Sequence, residues 1–272
     1  MTTSEHRLVE ARVRNAVAQA EALATVAPEF GSTSHLVAEG SLVLWGPDLY
    51  LNRTMAAGLQ VPLTASDLDR IVQLCDASAV PASVEVTPTT HPQTLTALAM
   101  KGFMHDPDSN ITALVKPVSD HPINAPSSVI VREVATAEDL ALWRQTSLAG
   151  WGHTTVRAQH ASNSFVAAVD SLDEERLVLA FDGDDDQQPV GCATTTFRDG
   201  VAILGGMSTV PAHRRRGVHA ALLHHRFAAA ANYGCDLIAA TAATGSVSER
   251  NLRRHGFIPE FTIAIHTLPG TG

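Results

Sequence analysis

Val201 to His225, VAILGGMSTVPAHRRRGVHAALLHH, is the stretch that decides the fold of this chain. It opens with an apolar, β-branched run that favours a strand. Gly205 and Gly206 interrupt this run, and glycines inside a strand indicate a bulge or the close approach of another group. Because Pro211 cannot continue a central strand, pairing is expected to end near Val210.

The second half of this stretch predicts an anion site at the start of a helix. After Gly217, apolar residues recur at helical spacing, so a helix is expected to begin there. The first N–H groups of a helix have no internal partner, and the helix dipole favours negative charge. Gly217 lets a ligand approach the backbone, while Arg214, Arg215 and Arg216 add charge and forked donors. These features predict a cradle for a pyrophosphate, and they disfavour the alternative of a solvated basic turn.

The same residues resemble the signature of the GNAT superfamily, the acyl-CoA-dependent N-acyltransferases. In that signature a strand and a residue-X-Pro step lead to Arg or Gln, two residues, Gly, one residue, then Gly or Ala. Thr209-Val210-Pro211, Arg214 and Gly217 match, whereas His219 stands where Gly or Ala is usual and would narrow the loop or place a side chain beside the cofactor. A second block, Ser246 to Phe257, is similar to the family's helix that runs into Gly-Phe before the last strands. Both motifs, in this order, favour the GNAT fold.

The N-terminal half repeats the same order of elements in reduced form. Its predicted elements are, in order, strand, strand, helix, strand, helix, a Gly-Phe pair and a strand. The pair Gly102-Phe103 corresponds to Gly256-Phe257. We therefore predict an α+β, sandwich-like fold of two GNAT-like domains, each a mixed, mostly antiparallel sheet flanked by helices. The predicted boundaries are 1–117 for a degenerate N-terminal domain, 118–127 for a linker and 128–272 for the domain that binds acetyl-CoA. An unrelated α+β domain in the first half is the alternative.

The composition and net charge limit the classes of partner that the protein is expected to bind. The chain has 272 residues, 45% of them hydrophobic, which is enough for a sizeable core in one large domain or two smaller ones. Its net charge is −9, from 19 Lys and Arg against 28 Asp and Glu, which disfavours nucleic acid and favours a small anion at the Arg triplet. No run reaches the roughly 18 apolar residues of a spanning helix, and the N-terminus lacks a signal-peptide core, so no membrane association is predicted.

The cysteines indicate a reducing compartment. Cys75, Cys192 and Cys235 are odd in number, far apart and without metal-type pairing. We predict reduced, mostly buried thiols in a cytoplasmic protein.

The resemblance implies how acetyl-CoA is held. Its pantetheine arm would lie like an extra strand between two splayed central strands, its pyrophosphate would fill the cradle, and one backbone N–H would polarise the thioester carbonyl. A core packing role for the two glycines is the alternative. The residues assigned to the cofactor are Met207, Ser208, Thr209, Arg214, Arg215, Arg216, Gly217, Val218, His219, Ala220 and Asn251.

The residues that members of this family often use as catalytic acid and base are replaced in this sequence. The tyrosine that the family often uses as an acid corresponds to Leu252, and no carboxylate lies on 203–210. His153, in an aromatic loop predicted over 147–155, and Ser248 are the catalytic candidates, and His219 and His266 are weaker ones. A metal site among the clustered histidines is rejected, because no carboxylate completes a ligand set.

The predicted function is transfer of an acetyl group from acetyl-CoA to a primary amine of a small molecule or peptide, mainly by positioning and carbonyl polarisation. The alternatives are a non-catalytic acyl-CoA-binding or regulatory protein, favoured by Leu252, and an RNA-associated protein, disfavoured by charge. Exposed strand edges in such folds allow a homodimer. Trp143, Trp151 and Phe165 suggest an aromatic pocket or a core, and the acidic run 182–186 suggests an amine-attracting surface or a solvated turn.

Overall fold

The computed structural model describes residues 3–118, 128–183 and 185–270. Apart from Val118, the predicted linker lies outside these residues. Contacts divide the chain into two compact units. The N-terminal unit contains residues 3–114, 241–254 and 258–270, and the C-terminal unit contains residues 115–118, 128–183, 185–240 and 255–257.

The described residues form seven α-helices and twelve strands. The helices are α1 (Thr3–Val26), α2 (Ala65–Ala77), α3 (Pro92–Lys101), α4 (Ala137–Trp151), α5 (Val156–Asp170), α6 (Val218–Asn232) and α7 (Val247–Arg254). The strands are β1 (Thr33–Val37), β2 (Gly40–Leu44), β3 (Asn52–Met55), β4 (Ser83–Val86), β5 (Met104–His105), β6 (Ile111–Pro117), β7 (Val129–Glu133), β8 (Glu175–Asp182), β9 (Asp185–Arg198), β10 (Val201–Thr209), β11 (Leu237–Ala243) and β12 (Ile258–Thr267).

The N-terminal unit is built on a mixed, mostly antiparallel sheet. Its strand order is β1-β2-β3-β4-β12, with β5 also pairing with β12, and only the β3–β4 pair among these is parallel. Helix α2 begins with a capping box, in which Thr64 and Asp67 each accept the other's backbone N–H. Leu68 and Ile71 of this helix are buried and pack with Leu42 and Leu44 of β2.

The C-terminal unit contains the second sheet, in the order β7-β8-β9-β10-β11. The first four strands are antiparallel to their neighbours, and β11 runs parallel to β10. Because side chains alternate along a strand, Leu179 of β8 packs with Trp143 of α4 on one face, and Val178 packs with Leu222 of α6 on the other. The sheet is therefore covered by α4 and α5 on one face and by α6 on the other.

These sheets confirm the predicted fold class of mixed, mostly antiparallel sheets flanked by helices. The predicted domain boundaries stay a prediction, because contact density does not follow them: α7 and β12 belong to the N-terminal unit, and the end of β6 belongs to the C-terminal unit. Degeneracy of the first half likewise stays a prediction.

The predicted loop over 147–155 is wrong, because α4 continues to Trp151. Gly152, with a φ of 73°, ends the helix, and its N–H donates to the Leu148 carbonyl. Gly150 lies inside the helix, where a Cβ atom would overlap the side chain of Ser208. Position 150 therefore carries glycine for close packing rather than as a helix breaker.

Two smaller differences concern strands. The short strand β5 was not predicted, and β9 begins at Asp185, inside the predicted acidic turn. A tight turn joins β9 to β10, since Asp199 (φ 52°) and Gly200 (φ 76°) both adopt left-handed backbone.

Candidate active site

A bulge interrupts β10 where the sequence predicted one. The pairing of β10 with β9 shifts register between Gly205, opposite Thr194, and Ser208, opposite Cys192. Two residues of β10, Gly206 and Met207, thus oppose a single residue of β9. A side chain at Gly205 is disfavoured, because its Cβ atom would lie 2.9 Å from the Thr194 Oγ1 and Thr194 would have to move.

The ladder on the other side of β10 ends before the bulge. Val201–Leu204 pair in parallel with Leu237–Ala240, so within this unit the β11 ladder does not reach Gly205. Backbone N–H and C=O groups of the bulged segment are therefore free of the β10–β11 ladder on that side. A ligand with amide groups can pair with them as an additional strand would.

A tight turn connects the end of β10 to α6. Pro211–His213 form a 3-10 turn, and Arg215 (φ 64°) and Gly217 (φ 83°) adopt left-handed backbone. Gly217 caps α6 without any side-chain hydrogen bond, and the first N–H donated to its carbonyl is that of Ala221, at 3.0 Å. The helix thus leaves the N–H groups of residues 218–220 without a partner inside the helix, which is the backbone arrangement that the predicted cradle requires.

The three arginines of the turn have different surroundings. Arg214 donates from Nη2 to the Gly150 carbonyl (3.2 Å) and from Nε to the Thr209 carbonyl (3.4 Å), so it connects the turn to the end of α4. Arg216 forms an ion pair with Asp182, with Nη2 2.8 Å from Oδ2. Arg215 is exposed, and its guanidinium has no partner among the residues that the structure describes. Of these three arginines, Arg215 is therefore the one that offers a guanidinium to an anion without breaking a contact with the described residues.

His219, the departure from the family signature, stacks on a second histidine. Its ring lies 5.6 Å from that of His255, and its Nε2 is buried with no partner within the described part of the chain. Burial, the nearby charge of Arg226 and His255 lower the pKa of His219 from 6.5 to about 4. Its imidazole is consequently neutral at neutral pH and a weak base.

The structure adds residues to the site that sequence reasoning missed. The pKa of His255 is lowered by burial and by Lys116, whose Nζ donates to the His255 carbonyl at 2.9 Å. Arg226 is only 1% exposed and lies on the buried face of α6. A charged residue four positions after Leu222, on an otherwise apolar face, was the signal available in the sequence.

The catalytic candidates lie in different units. His153 follows α4 in the C-terminal unit, and its Nδ1 is buried with no partner among the described residues. Ser248 and Asn251 lie on α7, which belongs to the N-terminal unit, and Leu252 of the same helix is buried. His266 also belongs to the N-terminal unit, where it stacks on His105.

A cavity of about 830 Å³ adjoins the cradle within the C-terminal unit. It lies among α4, the end of β8, the start of β9 and the turn before α6, and its lining includes the amides of Gln145, Gln187 and Gln188 and the Asp182–Arg216 ion pair. Trp143 belongs to the core instead, where its Nε1 donates to the Ala193 carbonyl (3.3 Å), and Trp151 is 56% exposed. The predicted aromatic pocket is therefore not formed by these two tryptophans.

Comparison with known proteins supports the fold. Residues 138–257 match the family model of the acetyltransferase (GNAT) family. A GCN5-related N-acetyltransferase from Kribbella flavida is similar in structure, with a TM-score of 0.66, 23% identity and 95% coverage of each chain. A tandem GNAT protein from the clavulanic acid biosynthesis pathway has a TM-score of 0.58 and 12% identity, over 86% of this chain and 79% of that one.

A third structure, a GCN5-related N-acetyltransferase from Sphaerobacter thermophilus, has a TM-score of 0.55 at 18% identity, over 70% of this chain and 61% of that one. No protein of curated function matches the sequence.

In the part of the chain that the structure describes, no helix is long and apolar enough to cross a membrane. Residues 138–257 form a domain of the GNAT acetyltransferase family.

Proposed function

We propose that the protein is an N-acetyltransferase, whose C-terminal unit binds acetyl-CoA and transfers its acetyl group to a primary amine of a small molecule or peptide. The observation that carries this proposal is that the bulge of β10 and the cradle that follows this strand lie close together along the chain. The bulge at Gly206-Met207 and the turn at 211–217 are separated by a few residues of β10. At about 3.3 Å per residue, this is a distance that the extended pantetheine arm of CoA spans.

The backbone of the turn would hold the pyrophosphate. The N–H groups at the start of α6 and the helix dipole favour the anion, and the exposed guanidinium of Arg215 adds a positive charge. The amide groups of the arm would then pair with the free backbone of β10. Met207, Ser208 and Thr209 are the proposed partners on this strand, and Asn251 is a proposed contact from α7.

The reaction consists of one bond exchange. The amine nitrogen attacks the thioester carbonyl carbon, the C–N bond forms, the C–S bond breaks, and the electron pair of that bond leaves on the sulfur of CoA. The neutral amine nitrogen loses one proton as the amide forms, and the thiolate gains one from solvent. A backbone N–H of the bulge would donate to the carbonyl oxygen as it becomes negative.

The amine must lose its proton before it attacks. A lysine-like amine has a pKa near 10.4, so only about one molecule in a thousand is neutral at pH 7. His219 is too weak a base at a pKa of about 4. We propose His153 as the base, because its buried Nδ1 lacks a partner within the described residues. Ser248 is proposed as a second residue that takes part in catalysis.

A test of the base separates chemistry from donor binding. We expect His153→Gln to lower the rate of transfer by about 10²-fold or more, the usual contribution of a general base, and to leave acetyl-CoA affinity unchanged. An unchanged rate would remove His153 from the mechanism.

A non-catalytic acyl-CoA-binding protein is the second candidate. The observation that favours it is Leu252, a buried aliphatic side chain where the family often has a tyrosine. If this second candidate is correct, we expect the protein to bind acetyl-CoA but to release no free thiol when any amine is added.

Calorimetric titration with acetyl-CoA tests the proposed site. Wild type is expected to bind with micromolar affinity, and Gly217→Trp is expected to abolish binding by filling the cradle. Gly234→Trp is the matched control, since Gly234 also has a positive φ (69°) and lies just beyond the other end of α6. If wild type does not bind, the transferase proposal is wrong. If it binds, release of free thiol with a panel of amines distinguishes the enzyme from the binding protein.

A further inference from the structure

Arg226 is a cation buried under the bulge of β10. Its side chain is 1% exposed, and its hydrogen-bond partners among the described residues are all uncharged atoms. It donates from Nε to the Leu222 carbonyl (3.2 Å) and from Nη1 to the carbonyls of Thr194 (3.2 Å) and Gly205 (3.4 Å). Its Nη2 lies 2.9 Å from the sulfur of Met207.

These contacts lie where the β9–β10 ladder stops. Thr194 and Gly205 are the last residues to face each other before the bulge, and Arg226 binds the carbonyls of both. The sulfur of Met207 belongs to the bulge itself. Arg226 thus connects the final pair of the ladder to the displaced residues and restricts the direction in which the bulge backbone points.

The charge of Arg226 is not balanced. Among the residues that the structure describes, no carboxylate forms an ion pair with it, although an isolated charge is costly to bury. The titratable groups with which it interacts are the Cys192 thiol of β9 and the imidazoles of His219 and His225 on α6. Burial lowers the pKa of Arg226 to about 9 and that of His219 to about 4, so the guanidinium is charged and that imidazole neutral near pH 7.

We propose that Arg226 is a positioning residue of the acyl-transfer site, which holds the β10 bulge and favours the thiolate form of the CoA sulfur that leaves there. This inference rests on the proposed function, because it requires the thiol end of CoA at the bulge. It also gives a physical role to a buried cation without a counter-ion, since negative charge forms at the bulge only during the reaction.

The role follows from the bond exchange. When the C–S bond breaks, the electron pair leaves on sulfur, which becomes a thiolate. A fixed positive charge in a water-poor site stabilises the thiolate until solvent supplies a proton. Arg226 donates no proton in this scheme and touches neither substrate, so it acts through the bulge and through its charge.

The test is the ionisation of CoA bound to the protein, which needs no amine acceptor. The ultraviolet absorbance of the thiolate is followed through the titration of bound CoA, and free CoA titrated in parallel gives the ordinary pKa of this thiol. The sulfur-free analogue desulfo-CoA, bound to the same protein, provides the blank. Wild type is expected to lower the pKa of bound CoA by about one unit or more, as an adjacent opposite charge does.

Variants separate charge from packing. Arg226→Met is expected to return the pKa of bound CoA to the ordinary value, and Arg226→Lys is expected to keep it lowered. The matched control is Arg176→Met, since Arg176 also donates to backbone carbonyls, those of Asp173 and Glu175 (both 2.7 Å), but at the surface. This control is expected to behave as wild type.

Each outcome decides the proposal. A lowered pKa that persists in Arg226→Met would overturn it, because the role of Arg226 would then be structural. An unshifted pKa in wild type would overturn it without any variant, and a pKa that returns to the ordinary value in Arg226→Lys would overturn it even if Arg226→Met does not fold. Absence of CoA binding to wild type would overturn the proposed function as well, whereas binding with an unshifted thiol would overturn this inference alone.

Discussion

Gly150 of α4 contacts Ser208 of β10 so closely that a Cβ atom at position 150 would overlap the serine side chain. The carbonyl of the same glycine accepts a hydrogen bond from Arg214 in the turn before α6 (3.2 Å). The end of α4 is thereby held against both the bulged strand and the cradle. A single glycine links the packing of this helix to the geometry of the candidate donor site.

Gly150→Ala is expected to destabilise the protein by about 1–3 kcal/mol, the usual cost of overpacking a close contact. Urea denaturation measures this change in the free energy of unfolding. Ser208→Gly in the same chain removes the overlapping atoms, so the double variant is expected to recover most of the loss. Additive effects of the two substitutions would show that the contact does not limit packing here.

Position 150 also shows what the sequence alone could not supply. Two glycines close together in 147–155 suggested a loop, because glycine is a poor helix former in isolation. The distinction between Gly150, which allows close packing, and Gly152, which has the positive φ of a helix end, depends on the strand that α4 contacts. That strand is about sixty residues away in sequence, so no local pattern reveals it.

The bulge, the end of β10 and the start of α6 were predictable because their signals are local. Paired glycines inside an apolar run, a proline at the strand end and a glycine before an apolar helix each constrain the backbone directly. The partners of the arginines were not predictable. Arg214 and Arg216 read as ligands in sequence, yet they contact Gly150 and Asp182, which come from elements distant in the chain.

Arg215→Gly is expected to weaken acetyl-CoA binding about two- to fivefold while the free energy of unfolding stays equal or rises by up to about 1 kcal/mol. The arginine has an exposed side chain without a described partner, and its φ of 64° strains any residue other than glycine. Calorimetry and urea denaturation measure the two effects separately. Arg215→Lys keeps the charge and should keep the affinity. Equal affinity in wild type and Arg215→Gly would show that the cradle acts through its backbone alone.

Asp182→Asn is expected to tighten acetyl-CoA binding by about two- to fivefold. The carboxylate of Asp182 holds Arg216 at 2.8 Å and competes with an incoming pyrophosphate for the same guanidinium. Because the gain is electrostatic, it should shrink as salt concentration rises. Glu174→Gln is the matched control, since it removes an ion pair with Arg198 (3.2 Å) in the same unit. Equal tightening in both variants would point to net charge rather than to release of Arg216.

The folded protein is expected to lose stability as pH falls from about 6.5 towards 4, in part because of His219. Its pKa is about 4 in the fold and 6.5 ordinarily, so between these values the unfolded chain binds the proton and the folded chain does not. The contribution is fully present above pH 6.5 and amounts to at most about 3 kcal/mol. Urea denaturation at pH 7 and at pH 5 measures how the free energy of unfolding changes with pH.

His219→Ala, which places the residue usual in the family signature at this position, should reduce this pH dependence. The control His6→Ala, which alters a half-exposed histidine of the N-terminal unit, should leave it unchanged. An unchanged pH dependence in His219→Ala would mean that the ring protonates in the folded state without resistance from Arg226 and His255.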